Sequence, residues 1–71
     1  MEFHLEYMDE KRRFDVKLQI ALYKTALKIM DESRREEFES YIKERVEKLH
    51  KILGVDEKIR IFENGVLIFE G

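Results

Sequence analysis

The dipeptide Asn64-Gly65 constrains the fold more than any other feature of this sequence. Both residues tolerate the positive φ that a two-residue type I′ turn requires, and apolar-rich segments flank them. We therefore predict a β-hairpin with strands over 58–63 and 66–70. A regular register fixes each pair of facing residues: Glu63 with Val66, Phe62 with Leu67, Ile61 with Ile68, and Arg60 with Phe69.

This register predicts that both faces of the hairpin are apolar. One face carries Ile59, Ile61, Val66 and Ile68, and the other carries Phe62, Leu67 and Phe69. A single helical layer covers only one face, and an apolar face left in water is typical of an interface. We therefore expect Phe62, Leu67 and Phe69 to form an interface, most simply with another copy of the chain. The alternative within one chain is that the first helix covers this face because the two helices sandwich the sheet.

Two stretches of alternating apolar and polar residues predict a second hairpin at the N-terminus. Phe3, Leu5 and Tyr7 alternate with polar residues, which favours a strand over 2–8. The alternation resumes at the even positions over 14–20, and the polar residues 9–13 between the two runs are typical of a hairpin loop.

The middle of the chain has the apolar period of a helix. From Ala21 the apolar residues recur every three or four positions, and Gly54 is placed to end the helical segment in a left-handed conformation. One helix over 21–53 would be about 50 Å long and would overhang a four-stranded sheet. We favour a break near Glu32 and Ser33, where Ser33 and Glu36 form a capping box, although one long helix paired with another chain is the alternative.

These elements predict one α+β domain over 1–71 with the order ββ(αα)ββ. The two hairpins form one sheet, and a long or broken helical middle packs on it. The chain contains no cysteine, so neither a disulfide nor a thiolate metal site can support its small core. Small domains of this kind commonly gain stability by association, so we expect a homo-oligomer.

Charge and hydropathy narrow the functional classes. The net charge is −2 with 42% charged residues of mixed sign, which disfavours a strongly basic nucleic-acid surface. No apolar run approaches about 18 residues and no secretory signal opens the chain, so we expect a cytoplasmic protein with no membrane contact. Glu2, His4 and Glu6 are interpreted as a solvated strand face and His50 as a helix cap, so we predict no catalytic, cofactor or metal site.

The order strand, helix, helix over 14–53 resembles the ribbon-helix-helix family of dimeric DNA-binding regulators. The resemblance covers about forty residues and implies that two chains pair one strand each and insert this ribbon into the major groove. Asp15, Lys17 and Gln19 would then point outward toward the bases. Ser33 and Arg34, at the start of the second helix, would face a phosphate. Lys17, Gln19 and Arg34 are therefore the possible nucleic-acid contacts.

The leading hypothesis is a non-catalytic interaction or regulatory module that self-associates through the apolar face of the C-terminal hairpin. A foreign protein partner is also compatible with that face. DNA binding by a two-chain ribbon is the first alternative. The second is a designed scaffold with no biological function, because the capping box, the helix-ending Gly54, the Asn-Gly turn and the i,i+4 Glu–Lys pairs all agree with one fold. The abundance of Lys, Glu and Arg without cysteine is typical of thermophile and designed proteins alike.

Overall fold

A computed structural model describes all 71 residues and shows two helices packed on a three-stranded mixed sheet. The elements in chain order are β1 (Glu2–His4), a 3-10 turn (Leu5–Tyr7), α1 (Glu10–Ile29), a second 3-10 turn (Glu32–Arg34), α2 (Arg35–Leu53), β2 (Arg60–Glu63) and β3 (Val66–Glu70). The sheet order is β1-β2-β3, with β1 parallel and β3 antiparallel to β2. The predicted α+β class is confirmed.

The predicted N-terminal hairpin is wrong, because residues 14–20 lie within α1. Val16 and Ile20, one helical turn apart, are buried, whereas Phe14 and Leu18, also one turn apart, are exposed. The two pairs alternate along the sequence, so a helix with apolar residues on two sides shows the same every-second-residue pattern as a strand. The order is therefore β(αα)ββ and not ββ(αα)ββ.

β1 is short and pairs with the C-terminal hairpin instead. Phe3 of β1 lies beside Ile61 of β2 in parallel register. The strand ends at His4 because the chain enters the 3-10 turn, which buries Leu5 completely. The turn also places the Glu6 carboxylate where it accepts a hydrogen bond of 2.7 Å from the backbone N–H of Asn64.

The helical middle consists of two helices, so the predicted break is confirmed. The predicted capping box at the start of α2 is not formed, since α2 begins after Arg34 without a side-chain cap. Asp31 instead caps the 3-10 turn that leads into α2, where its carboxylate accepts hydrogen bonds from the Arg34 backbone N–H at 3.0 Å and from the Ser33 hydroxyl at 2.7 Å. Gly54 ends α2 in the left-handed conformation with φ 71°, as predicted, and its N–H donates to the His50 carbonyl at 2.8 Å.

The C-terminal hairpin is confirmed, but its register changes halfway along the strands. Asn64 (φ 53°) and Gly65 (φ 76°) form the predicted turn, and Phe62 faces Leu67. A bulge follows, so Ile61 faces Phe69 and Ile68 is the extra residue. The bulge turns Phe69 from the outer face of the sheet to the helix-covered face.

Eight buried residues from the 3-10 turn, both helices and the hairpin form the core: Leu5, Val16, Ile20, Leu49, Leu53, Ile59, Ile61 and Phe69. The helices cover one face of the sheet only. With 20 residues α1 is about 30 Å long, whereas the longest strand spans about 17 Å. Each helix is therefore longer than any strand of the sheet.

Candidate functional site

The three residues of the predicted hairpin interface lie on opposite faces of the sheet. Phe69 is only 4% exposed and packs edge-on against Tyr23, with 5.3 Å between ring centroids. Phe62 and Leu67 do lie on the outer sheet face, where His4 stacks on Phe62 at 5.2 Å. Placing Phe69 on this face is therefore wrong, and the reason is the bulge.

The rest of the outer sheet face is charged. Beside the row His4, Phe62 and Leu67 runs a second row in which Arg60 lies between Glu2 and Glu70. The Arg60 guanidinium is 3.8 Å from each of these carboxylates. Of the three predicted interface residues, Phe62 and Leu67 therefore share this face with a row of charged side chains.

The residues predicted to contact nucleic acid do not share a surface. Lys17 forms an ion pair of 2.6 Å with Glu63, and Gln19 is a half-buried residue of α1. Arg34 lies beyond the far end of α1, about 18 Å of helix from Lys17, and bonds Glu37 at 3.1 Å. The predicted ribbon strand is absent because its residues are helical, so the structure lacks the element on which the predicted groove contact depends.

A different apolar surface lies on α1. Phe14, Leu18 and Ile29 are 67%, 46% and 60% exposed. Ala21 and Thr25 are exposed between them, and all five positions fall within a sector of about 80° around the helix axis. The Thr25 hydroxyl donates to the Ala21 carbonyl at 2.8 Å, so its polar group is already satisfied within the helix. We name these five residues the α1 outer face.

This surface lies opposite the side of α1 that enters the core. Val16 is fully buried, Ala26 is 1% exposed and Ile20 is 5% exposed, and they lie on the far side of the helix from Phe14. A helix that is apolar on opposite sides is typical of one packed on both. The alternation of apolar residues over 14–20 was the sequence signal for this surface. It was attributed to a strand, whereas it comes from a helix that is apolar on two sides.

The charge of α1 differs from that of the rest of the chain. The helix has six basic residues against two acidic ones, a net charge of +4, so the remaining chain carries −6 of the total of −2. By helical spacing Lys17, Lys24 and Lys28 form a row along one side of the α1 outer face. Only Lys17 of the six basic residues has an ion-pair partner.

The titratable groups are engaged at turns and helix ends. Hydrogen bonds from its own backbone N–H, and secondarily from that of Asn64, hold the pKa of Glu6 below its ordinary value. The Ser33 hydroxyl and then the Arg34 backbone N–H do the same for the pKa of Asp31. No ionisable residue belongs to the buried set, and no three acidic or histidine side chains are grouped to hold a metal ion.

No helix of the structure is both long and apolar enough to cross a bilayer. Comparisons with protein-family models, with curated proteins and with solved structures gave no match.

Proposed function

We propose that this chain is a non-catalytic protein-interaction module whose contact surface is the α1 outer face. The observation that supports this proposal most is the exposure of Phe14, Leu18 and Ile29 on one side of a helix whose other side forms the core. Single exposed apolar residues are ordinary on any surface, whereas aligned ones are typical of an interaction site.

The energy available on this face fits a reversible contact. Fully burying a Leu, Ile or Phe side chain contributes about 1.5–3 kcal/mol. Scaled by their exposed fractions, Phe14, Leu18 and Ile29 together would contribute about 3–5 kcal/mol to a complex. Association costs about 4–15 kcal/mol of lost freedom, so further favourable contacts have to accompany these three.

The same surface argues against the hypothesis of a scaffold without a role. Designed surfaces are kept free of aligned apolar residues because these promote aggregation. A helix needing only to pack on this sheet would carry charged residues at positions 14, 18 and 29. Burial in a complex would account for apolar side chains at these positions, whereas packing within the chain does not.

Selection from a displayed random-peptide library tests the proposal without a known partner. Peptides enriched on the domain should lose binding to the variant Leu18→Glu. Glutamate is a good helix former and should preserve the circular-dichroism spectrum. The enriched peptides should still bind the control variant Glu44→Lys, which changes an exposed residue of α2.

Two results would contradict the proposal. One is a selection that enriches no peptide. The other is enrichment of peptides that tolerate Leu18→Glu but lose binding when Phe62 on the outer sheet face is changed to Ser.

A further inference from the structure

We infer that the occupant of the α1 outer face is an acidic amphipathic helix of a protein partner. This inference rests on the function proposed above and adds the shape and charge of the partner. The spacing of the apolar residues supports the shape, and the unpaired lysines beside them support the charge.

The α1 outer face has the form of a helix-packing seam. Its members follow one another at intervals of four, three, four and four residues, close to the repeat that lets two helices lie along each other. The small residues Ala21 and Thr25 occupy its centre, with Phe14, Leu18 and Ile29 toward its ends. Small central residues let a second backbone approach closely, which suits a helix of about four turns.

The charge beside this seam calls for an acidic occupant. Lys24 and Lys28 are exposed and have no ion-pair partner within the chain. They lie on the same side of the helix as Lys17, one or two turns from the central residues. Carboxylates on a docked helix would face this row, as the flanking charges do in paired helices.

A second copy of this chain fits the same face poorly. Two α1 helices paired antiparallel about Ala21 would set Lys17 near Lys24 of the other copy and Arg13 near its Lys28. Parallel pairing would also join two helices that each carry +4. Like charges along a seam oppose association, so complementarity selects a partner of opposite sign.

An anionic bilayer also fits less well than a helix. Glu63 lies beside the seam in its ion pair with Lys17, and Glu10 and Asp15 lie near its N-terminal end. A flat anionic surface covering Phe14 would approach these carboxylates. A narrow helix can lie along the seam and avoid them.

Two synthetic peptides test the inference directly. Both have about 18 residues with Leu at heptad core positions, and the flanking positions carry Glu in one and Lys in the other. In fluorescence anisotropy the Glu peptide should bind about tenfold tighter or more than the Lys peptide. This preference should shrink when sodium chloride rises from about 50 to about 500 mM.

Charge exchange on the protein provides the decisive comparison. The double variant Lys24→Glu, Lys28→Glu should reverse the preference, so that the Lys peptide binds more tightly. The control Lys43→Glu, Lys48→Glu makes the same change in net charge on α2, where both lysines are exposed and unpaired. It should keep the preference for the Glu peptide.

Several outcomes would overturn the inference. Equal binding of both peptides, or binding of neither, would contradict the inference that the occupant is an acidic helix. A dimer seen by light scattering and abolished by Leu18→Glu would identify a second copy as the occupant and leave the proposed interaction surface standing. Binding to phosphatidylcholine vesicles containing about 30% phosphatidylserine, but to neither peptide, would identify a membrane instead. Failure of the peptide-library selection as well would remove both proposals.

Discussion

Replacing Phe69 with Ala should destabilise the domain far more than replacing Leu67 with Ala. The two residues are two positions apart in β3, so a regular hairpin register would place both on the outer sheet face. The bulge separates them. Phe69 is 4% exposed and contacts the core, whereas Leu67 is 45% exposed beside Phe62.

The sizes of the two effects follow from these positions. Truncation of a buried Phe to Ala costs about 3–5 kcal/mol, including the cavity it leaves. The half-exposed Leu67 should cost about 1 kcal/mol. A domain of this length has a total stability of about 4–11 kcal/mol, so Phe69→Ala removes about a quarter of it or more.

Urea denaturation followed by circular dichroism measures both free energies of unfolding. If Phe69→Ala is unfolded in buffer, the milder Phe69→Leu should still cost about 1 kcal/mol or more and keeps the comparison measurable. Equal losses for Phe69→Ala and Leu67→Ala, or a larger loss for Leu67→Ala, would show that the strands pair in the regular register and would refute the bulge.

Three further predictions follow from single positions. Gly54→Ala should cost about 1–2 kcal/mol in urea denaturation, because the left-handed backbone strains alanine although no atom blocks its methyl group; no loss would contradict that conformation. Glu6→Gln should make the free energy of unfolding fall less steeply as the pH is lowered. The wild-type carboxylate has a lowered pKa, so it stabilises the fold above its ordinary pKa of 4.5 and loses that contribution as the pH falls below it. Identical pH profiles for the two proteins would contradict the hydrogen bond to Asn64. Val16→Glu should cost about 3 kcal/mol or more and Leu18→Glu about 1 kcal/mol or less, because only position 16 is buried; comparable losses would place both sides of α1 in the core.

The sequence predicted the elements whose causes are local. The turn at Asn64-Gly65 and the end of α2 at Gly54 each depend on a backbone conformation that few residues adopt, and both are where they were expected. The break between the helices was also predicted, although the side chain that caps it is Asp31, at the start of the 3-10 turn, and not Ser33. Either residue suits a cap, and only the path of the chain decides between them.

The N-terminal prediction failed because one pattern has two causes. Alternating apolar residues over 14–20 arise from a strand with one buried face or from a helix with two apolar faces. Sequence period alone favours the strand. The helix is selected by tertiary contacts, since Val16 and Ile20 belong to the same buried core as Leu49 and Leu53 of α2.

The predicted interface failed at the bulge for a similar reason. Pairing from the turn was correct as far as Phe62 and Leu67. No residue type marks the extra position at Ile68, so the sequence could not show that Phe69 changes face. The alternation over 14–20 also fits two stripes on opposite sides of a helix, and that interpretation predicts the exposed side of α1. The same helical spacing places the lysines beside it.

The most direct measurement of the interaction surface is chemical-shift mapping of the ¹⁵N-labelled domain during titration with the Glu-flanked peptide. The amides of α1 around Phe14, Leu18, Ala21, Thr25 and Ile29 should shift most, while those of β2 and β3 stay nearly unchanged. Shifts concentrated at Phe62 and Leu67, or no shifts at saturating peptide, would contradict the assignment of the α1 outer face as the contact surface.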